Sequence, residues 1–448
     1  MSDPGSIMNT YEGSAPTAPS SIMNVYEAPP LPSSIMNVYE GSTPKAPAVV
    51  SNDVSIIVGT NQIAGWQSVE IVRSAEAFPN HFTLTMTEQY SNDPSKILVN
   101  PGARCQVKIG SDVVVTGFID RYTASIGPNS HDVTVTGRGL CEDLVDCSAD
   151  IRSPDSPVVG GSTNGLINIL ELAQKLCKPW GITARLGAGA AGDAGLPIRV
   201  FQVALGEPPY EIIERVARYA GYLVYEDELG ALVLDRVGTA QMASGFVQGE
   251  HVEHASVTLA VDQRFTTIDI VFSPIDQLYE GIGPDGAPVT NQRAYAADPK
   301  LAAMGRFRPR IEVSQQTDGT YDFAQRLANW EIARLRGRSQ AVHVVCDKWR
   351  DEKNRLWTPN MLAPVHLPAL KLVNASWIIG TVQFRKDTSG THAAVTLMPP
   401  EAFSVQPSPL NVWDYELNAP APKSQSPAPP TTTAPASMTG PGGLQGHV

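Results

Sequence analysis

Two short motifs in this sequence hold residue types from which binding sites are made. "GAGAAG" at 187–192 has the glycine spacing of a dinucleotide-phosphate loop. Such a loop works between a strand and a helix, because the helix N-terminus must meet the pyrophosphate. Downstream lies "DAGLPIRV", with Gly195 and Pro197 where that helix would run, so the stretch reads as a flexible loop. "HVEH" sets His251 three residues before His254. Zinc needs three or four ligands, and no cysteine or third histidine is near, so the pair reads as an exposed turn between domains. Glu226 with Glu228, and Asp143 with Asp146, have the composition of a glycosidase's acid and base. In sequence they look like a turn and a solvated helix end. No G-x-S-x-G, H-E-x-x-H or P-loop occurs, so no catalytic residue, cofactor or metal ligand is assigned.

A third pattern is different in kind. "SIMNTYE" at 6–12 returns as "SIMNVYE" at 21–27 and 34–40. Each copy offers two apolar side chains, an aromatic and a carboxylate: Ile7, Met8, Tyr11 and Glu12; Ile22, Met23, Tyr26 and Glu27; Ile35, Met36, Tyr39 and Glu40. Compositional drift rarely preserves an ordered heptapeptide, so these residues are the candidate partner-binding set, against a neutral tandem duplication. The Pro-rich spacers, at about 3.1 Å per extended residue, would put the starts of successive copies roughly 40 to 47 Å apart. That spacing suits equivalent sites on a repeating partner.

Composition bounds the rest. The chain has 448 residues, 42% of them apolar, and a formal charge of −12. That length allows roughly three domains with a sizeable core. The acidic balance argues against broad DNA binding, which needs Lys and Arg on phosphates, but suits a wall past which DNA slides. No apolar run reaches the roughly 18 residues of a membrane span, and the N-terminus lacks the blocks of a signal peptide, so a cytosolic start is expected. The five cysteines are odd in number and form no C-x-x-C, which points to buried free thiols.

Residues 1–50 and about 405–448 are rich in Pro, Ser, Thr and Ala, a composition of tails. From Asp53 to about 150 the chain alternates in period two ("DVSIIVG", "HFTLTMTEQ", "CQVKIGSDVVVTGFIDRYTA", "DVTVTGRG") between turn signals, as in a small antiparallel barrel or sandwich. An α/β stretch of about 100 residues follows. "TNGLINILELAQKLCKPWGI" has apolar residues at helical spacing, with Thr163 or Asn164 as caps. "EPPYEIIERVARYAGYLVYEDELGALVLDRV" reads as a helix and then a hairpin around "EDELG". Strands resume from about 255 to 405, interrupted by the helix "YDFAQRLANWEIARLRGR" at 321–338. Along it Phe323, Leu327, Trp330 and Leu335 form an apolar stripe opposite Arg326, Arg334 and Arg336. The stripe is expected on the second β-domain and the arginines against a neighbouring subunit or domain.

The two β-regions resemble the baseplate hub proteins of Mu-like contractile-tailed bacteriophages, relatives of the late-control tail proteins and of the hub of type VI secretion spikes. "GWQSVEIVRSAEAFPNHFTLTM", "PGARCQVKIGSDVVVTGFIDRY" and "VTGRGLCEDLVDCSA" carry it in the first region. "ANWEIARLRGRSQAVHVVCDKW", "LWTPNMLAPVHLP" and "GTHAAVTLMPPEAF" carry it in the last. The resemblance covers most of residues 52–405 and leaves out the repeat and the C-terminal tail. It implies a mainly β chain: two tube-like antiparallel β-barrels (51–150 and 255–405) flanking an α/β domain (151–254), between Pro-rich tails (1–50 and 406–448). It further implies a non-enzymatic homotrimer in the virion tail baseplate, assembled in the host cytoplasm. Three chains would make a ring of six barrels adapting a sixfold tail tube to a threefold spike. Its partners would be tube or tube-initiator, central spike and baseplate wedge proteins, with DNA only in transit. A tail-associated peptidoglycan hydrolase and a host-binding tail-tip protein are the alternatives.

Overall fold

The computed structural model describes residues 51–87, 99–128, 130–150, 167–193, 195, 206–272, 293–314 and 321–407. All three heptapeptide copies, and almost all of the C-terminal Pro-rich region, lie outside them. The chain is mainly β. Its first region holds β1 (Val54–Val58), β2 (Asn61–Ala64), β3 (Ser68–Ser74), β4 (His81–Thr87), β5 (Arg104–Ile109), β6 (Asp112–Ile126) and β7 (His131–Gly139), ending in the short helix α1 (Glu142–Asp146). The alternation read from sequence is the burial pattern: Val69 and Ile71 on β3, and Phe82 and Leu84 on β4, point into the core while Ser68, Glu70 and His81 face out.

The middle of the chain builds α2 (Ile169–Cys177), β8 (Ala184–Leu186), α3 (Pro209–Ala220), β9 (Leu223–Glu226) and β10 (Leu232–Asp235). Both helices and the hairpin expected from sequence are present. The first helix starts later than expected, at Ile169, because Asn168 is the residue whose side chain accepts the Glu171 N–H, at 2.9 Å. Thr163 and Asn164 lie outside the described residues. α3 opens on Pro209 and closes on Gly221 at φ 76°. In the hairpin turn, Asp227 Oδ1 accepts the N–H groups of Leu229 and Ala231, both at 2.9 Å. The helices pack on the sheet β8-β10-β9 around Ile169, Leu172, Ile212, Val216, Leu232 and Leu234.

The chain then re-enters the first sheet at Gln241, ahead of the boundary expected at 254: β11 (Phe246–Val247) pairs with residues 365–366. Next come β12 (Val252–Leu259), β13 (Thr267–Phe272), β14 (Arg293–Ala297), α4 (Pro299–Ala302), β15 (Pro309–Ser314) and α5 (Tyr321–Arg338). β16 (Gln340–Cys346), β17 (Leu362–Leu367), β18 (Leu372–Asp387) and β19 (Gly390–Met398) complete the order, followed by a 3-10 turn at Pro400–Phe403. β14-β13-β15 form a small separate sheet.

Thirteen strands share one sheet, in the order β12-β16-β19-β18-β3-β4-β7-β6-β5-β1-β2, with β17 and β11 branching from β18. Among the described residues its end strands β12 and β2 do not pair with each other, so strand pairing closes no barrel. Instead the two β-regions join edge to edge where β18 meets β3, and one apolar cluster draws on both. Four of the five cysteines are buried and all are free thiols, as the sequence suggested.

Helix α5 spans the residues expected, but its faces are distributed differently. Ala324, Ala328 and Ile332 are its buried apolar side chains among the described residues, packed on Ile268, Ile270, Ala294 and Ala296 of the small sheet, with Leu327 and Leu335 at the margins. Alanines let the helix lie close to a sheet, so the small residues face inward. Trp330 is only half-buried. Its indole N–H donates to the Ser404 carbonyl at 2.9 Å, and Arg334 Nη1 donates to the same oxygen at 2.6 Å, its guanidinium over the indole ring. Trp330 and Arg334 therefore share one face. An indole N–H leaving solvent needs an acceptor, and the 404 carbonyl supplies it.

Candidate functional site

The polar residues that do most in this chain sit at the joints between its modules. The first joint is a carboxylate. Period two puts Glu226 on the face of β9 that also carries Val224, so its side chain is driven inward. It crosses into the first β-region and accepts the backbone N–H groups of Asn80 at 2.9 Å and Cys141 at 3.0 Å. Asn80 returns a side-chain bond to the Glu226 carbonyl at 3.1 Å. Burial pushes the Glu226 carboxyl up to about 7, although those two N–H groups pull the other way. Glu228, on the same turn, pairs with Arg73 of β3 at 2.8 Å, and its carbonyl accepts from Thr116 at 3.0 Å. The two glutamates of the glycosidase reading are thus each committed to a different partner.

The second joint binds the far β-region to both others. Asn360 donates to the Arg236 carbonyl at 3.0 Å and the Asp235 carboxylate at 3.3 Å, and accepts the Gly238 N–H at 2.8 Å. Arg350 is almost wholly buried. It donates to Asn52 Oδ1 and the Ile109 carbonyl, both at 3.0 Å, and pairs with Asp112. A third joint is a collar at the C-terminal end of α5. Arg338 pairs with Glu76 and donates to the Ala402 carbonyl at 3.1 Å, Arg334 lies 3.8 Å from Glu76, and Arg336 lies 3.8 Å from Glu401. Arg334 and Arg336, both named from sequence, therefore lie beside carboxylates of the same chain. Arg326 is exposed on the helix.

The sequence motifs also resolve. "GAGAAG" follows a strand, β8, but forms a single 3-10 turn at Ala188–Ala190 rather than opening a helix. The space a phosphate would need holds a carboxylate: a Cβ on Gly187 would lie 2.1 Å from Asp235 Cγ. "HVEH" is not an exposed turn. His251 is buried 6.1 Å from the Phe246 ring and 6.4 Å from that of Trp357, and His254 lies on edge strand β12 across a bulge. A bulge inserted between them re-aims the second side chain. Among the described residues no three His, Cys, Asp or Glu side chains gather as a metal site. Asp143 and Asp146 sit at α1 as expected, Asp146 paired with Arg138 at 2.7 Å. A cavity of about 280 Å³ lies where the three modules meet, and four of its charged side chains pair with one another: Arg185 with Asp227, Arg73 with Glu228.

Comparison with known proteins agrees with this architecture. Residues 53–139 match the family described as Mu phage baseplate assembly protein GpP-like, N-terminal. Residues 141–236 match the second domain of baseplate hub protein gp44-like, and residues 320–406 the fourth domain of Mu phage baseplate assembly protein GpP. Together these take in more than half of the chain. The baseplate hub protein gp44 of Escherichia phage Mu is 26% identical over 358 residues, 80% of this chain and 90% of the relative. The chain belongs to the Mu-like baseplate hub proteins. A 43 kDa tail protein of prophage MuSo2 from Shewanella oneidensis, 28% identical, superposes with TM-score 0.66 over 78% of this chain and 99% of its own. A tail protein of Neisseria meningitidis, 18% identical, shares the fold at TM-score 0.59 over 79% and 98%. Arg73, Arg350 and Asn360 were not singled out from sequence, and Glu226 was named there only as half of a carboxylate pair. Only Glu226 left a signal there: a carboxylate in phase with the apolar residues of "LVYE". No helix among the described residues is long and apolar enough to cross a membrane.

Proposed function

We propose that this chain is the structural hub of a contractile-tail baseplate: a homotrimer in which residues 51–150 and 255–405 are the tube-forming β-units flanking the α/β domain at 151–254. Three chains then offer six similar units to a sixfold tail tube and a threefold face to the central spike, with baseplate wedge proteins outside. The acidic charge suits DNA passing through without adhering. The observation that carries this reading is the repeated strand order. β3-β4-β7-β6-β5 in the first unit corresponds to β12-β16-β19-β18-β17 in the second, with the same chain sequence through both; beyond them β1 runs antiparallel to β5 but β11 parallel to β17. Two like units joined side by side in one chain are what a sixfold ring made of three chains requires.

The non-enzymatic reading draws support from relatives named as tail and baseplate components, and from the engagement of Glu226 and Glu228 with separate partners. The heptapeptides at 6–12, 21–27 and 34–40 are then linear motifs that attach the hub to a repeating neighbour. Mass measurement of the purified protein should give three times 48.0 kDa. A monomer across a wide concentration range would remove the ring.

A further inference from the structure

The sheet has one internal seam, and elsewhere two bare half-edges reproduce its two sides. At the seam the second half of β18 pairs with β3, Thr381 opposite Ser74 through Lys386 opposite Val69. The first half of β18 pairs with β17 instead. β6 is built in the same way. It carries a bulge between Ile119 and Arg121 where β18 has one between Ile379 and Thr381, and its first half pairs with β5. The partner of its second half is missing: among the described residues no strand lies on the outer side of 121–126.

The other half-edge is β12. Following register across the sheet, Thr381 pairs with Thr396 as Arg121 pairs with Thr136. Thr396 lies opposite His343, and His343 opposite Ser256; Thr136 lies opposite Thr83, and Thr83 opposite Glu70. Ser256 therefore stands where Glu70 stands, and β12 is the counterpart of β3. The inward positions agree, since Ala255 and Val257 pack on the core as Val69 and Ile71 do. β12 pairs only with β16, and its outer edge is bare among the described residues. Each half-edge also exposes a large apolar side chain, Ile126 at 79% and Leu259 at 61%.

We infer that residues 121–126 of one copy pair antiparallel with residues 255–260 of the next, in the register of the internal seam. Arg121 then lies opposite Ala260, Thr123 opposite Thr258, Ser125 opposite Ser256 and Ile126 opposite Ala255. A bare edge is a row of unpaired N–H and C=O groups that accepts another strand. The occupant is a second copy of this chain, because the internal seam shows these two surface types already paired, with Phe384 opposite Ile71 buried in it. The contact is head to tail, so it generates a ring when the rotation closes. It rests on the trimeric reading above and adds to it the contacting strands and their register.

Four exposed side chains test it in the full-length protein. Ser125→Cys with Ser256→Cys, and Thr123→Cys with Thr258→Cys, are in-register pairs of one type, within reach of a disulfide across an antiparallel ladder. Mild oxidation should link each between chains, giving dimer and trimer bands without reductant. The swapped pairs, Ser125→Cys with Thr258→Cys and Thr123→Cys with Ser256→Cys, should stay unlinked. Trimers in which no pair links, or all four link equally, would overturn this interface and leave the trimer standing; a monomeric wild type would overturn both. Hydrogen exchange on the unmodified protein gives an independent reading. Outward amides of 121–126 and 255–260 should be protected in the oligomer, and exchange there as fast as in loops would also overturn the pairing.

Discussion

Glu226 illustrates how one side chain can hold two modules together. Its two oxygens are the acceptors for the N–H groups of Asn80 and Cys141, so truncation strands two buried donors. At about 1 to 3 kcal/mol for each buried group left unpaired, Glu226→Ala should cost about 2 to 6 kcal/mol in denaturant unfolding. Its proton matters as well. Burial is the largest cause that pushes up Glu226 to about 7, Glu331 to about 7 and Glu142 to about 8. A carboxyl raised in the folded state binds its proton more tightly there than in the unfolded chain. The stability it adds is complete below its unfolded value and is lost as pH rises through the folded one. Thermal unfolding should therefore occur at higher temperature near pH 5.5 than near pH 8, and Glu226→Gln, which cannot titrate, should flatten that slope. Asp146 and Asp193, held low by Arg138 and Arg236, act in the opposite sense only in more acidic solution.

At the scale of elements, α5 is clamped on two sides. Its alanine face lies on the small sheet, and its other side meets the 400–404 turn so closely that a Cβ on Gly337 would fall 2.4 Å from the Ala402 nitrogen. The two sides should respond differently to substitution. A fully buried tryptophan costs about 3 to 5 kcal/mol when cut to alanine; half-buried Trp330 should cost about 2 kcal/mol. Ala328→Leu must force three extra carbon atoms between helix and sheet and should cost about 3 kcal/mol by overpacking. Equilibrium unfolding of both variants would order them. If Trp330→Ala is the more damaging, the 404 clamp and not the alanine face anchors the helix.

For the whole molecule, the test is whether attachment and assembly separate. Deleting residues 1–45 removes all three heptapeptide copies and leaves every described strand intact. Single heptapeptides that order on binding hold weakly, but three per chain on extended spacers raise one another's effective concentration. The truncated protein should keep the number of chains of the full-length oligomer, while its incorporation into tails fails or becomes labile. Stable tails from the truncation would assign the repeat to neutral duplication.

What the sequence by itself determined is local. Strand alternation, the span of α5, the proline opening of α3 and the "EDELG" turn all follow from neighbours within a few positions, where periodicity and backbone preference act. The family was legible too, through ordered stretches in both β-regions. What only the tertiary structure decided is how distant pieces meet. The β3–β18 seam joins Ser74 to Thr381, 307 residues apart, and Arg350 reaches Asn52 across 298. Trp330 turned toward the 404 carbonyl, His251 went inside, and Asp235 filled the glycine loop. Strand edges and buried polar groups take whichever partner the folded chain brings within hydrogen-bond reach, and no local pattern records which partner that is.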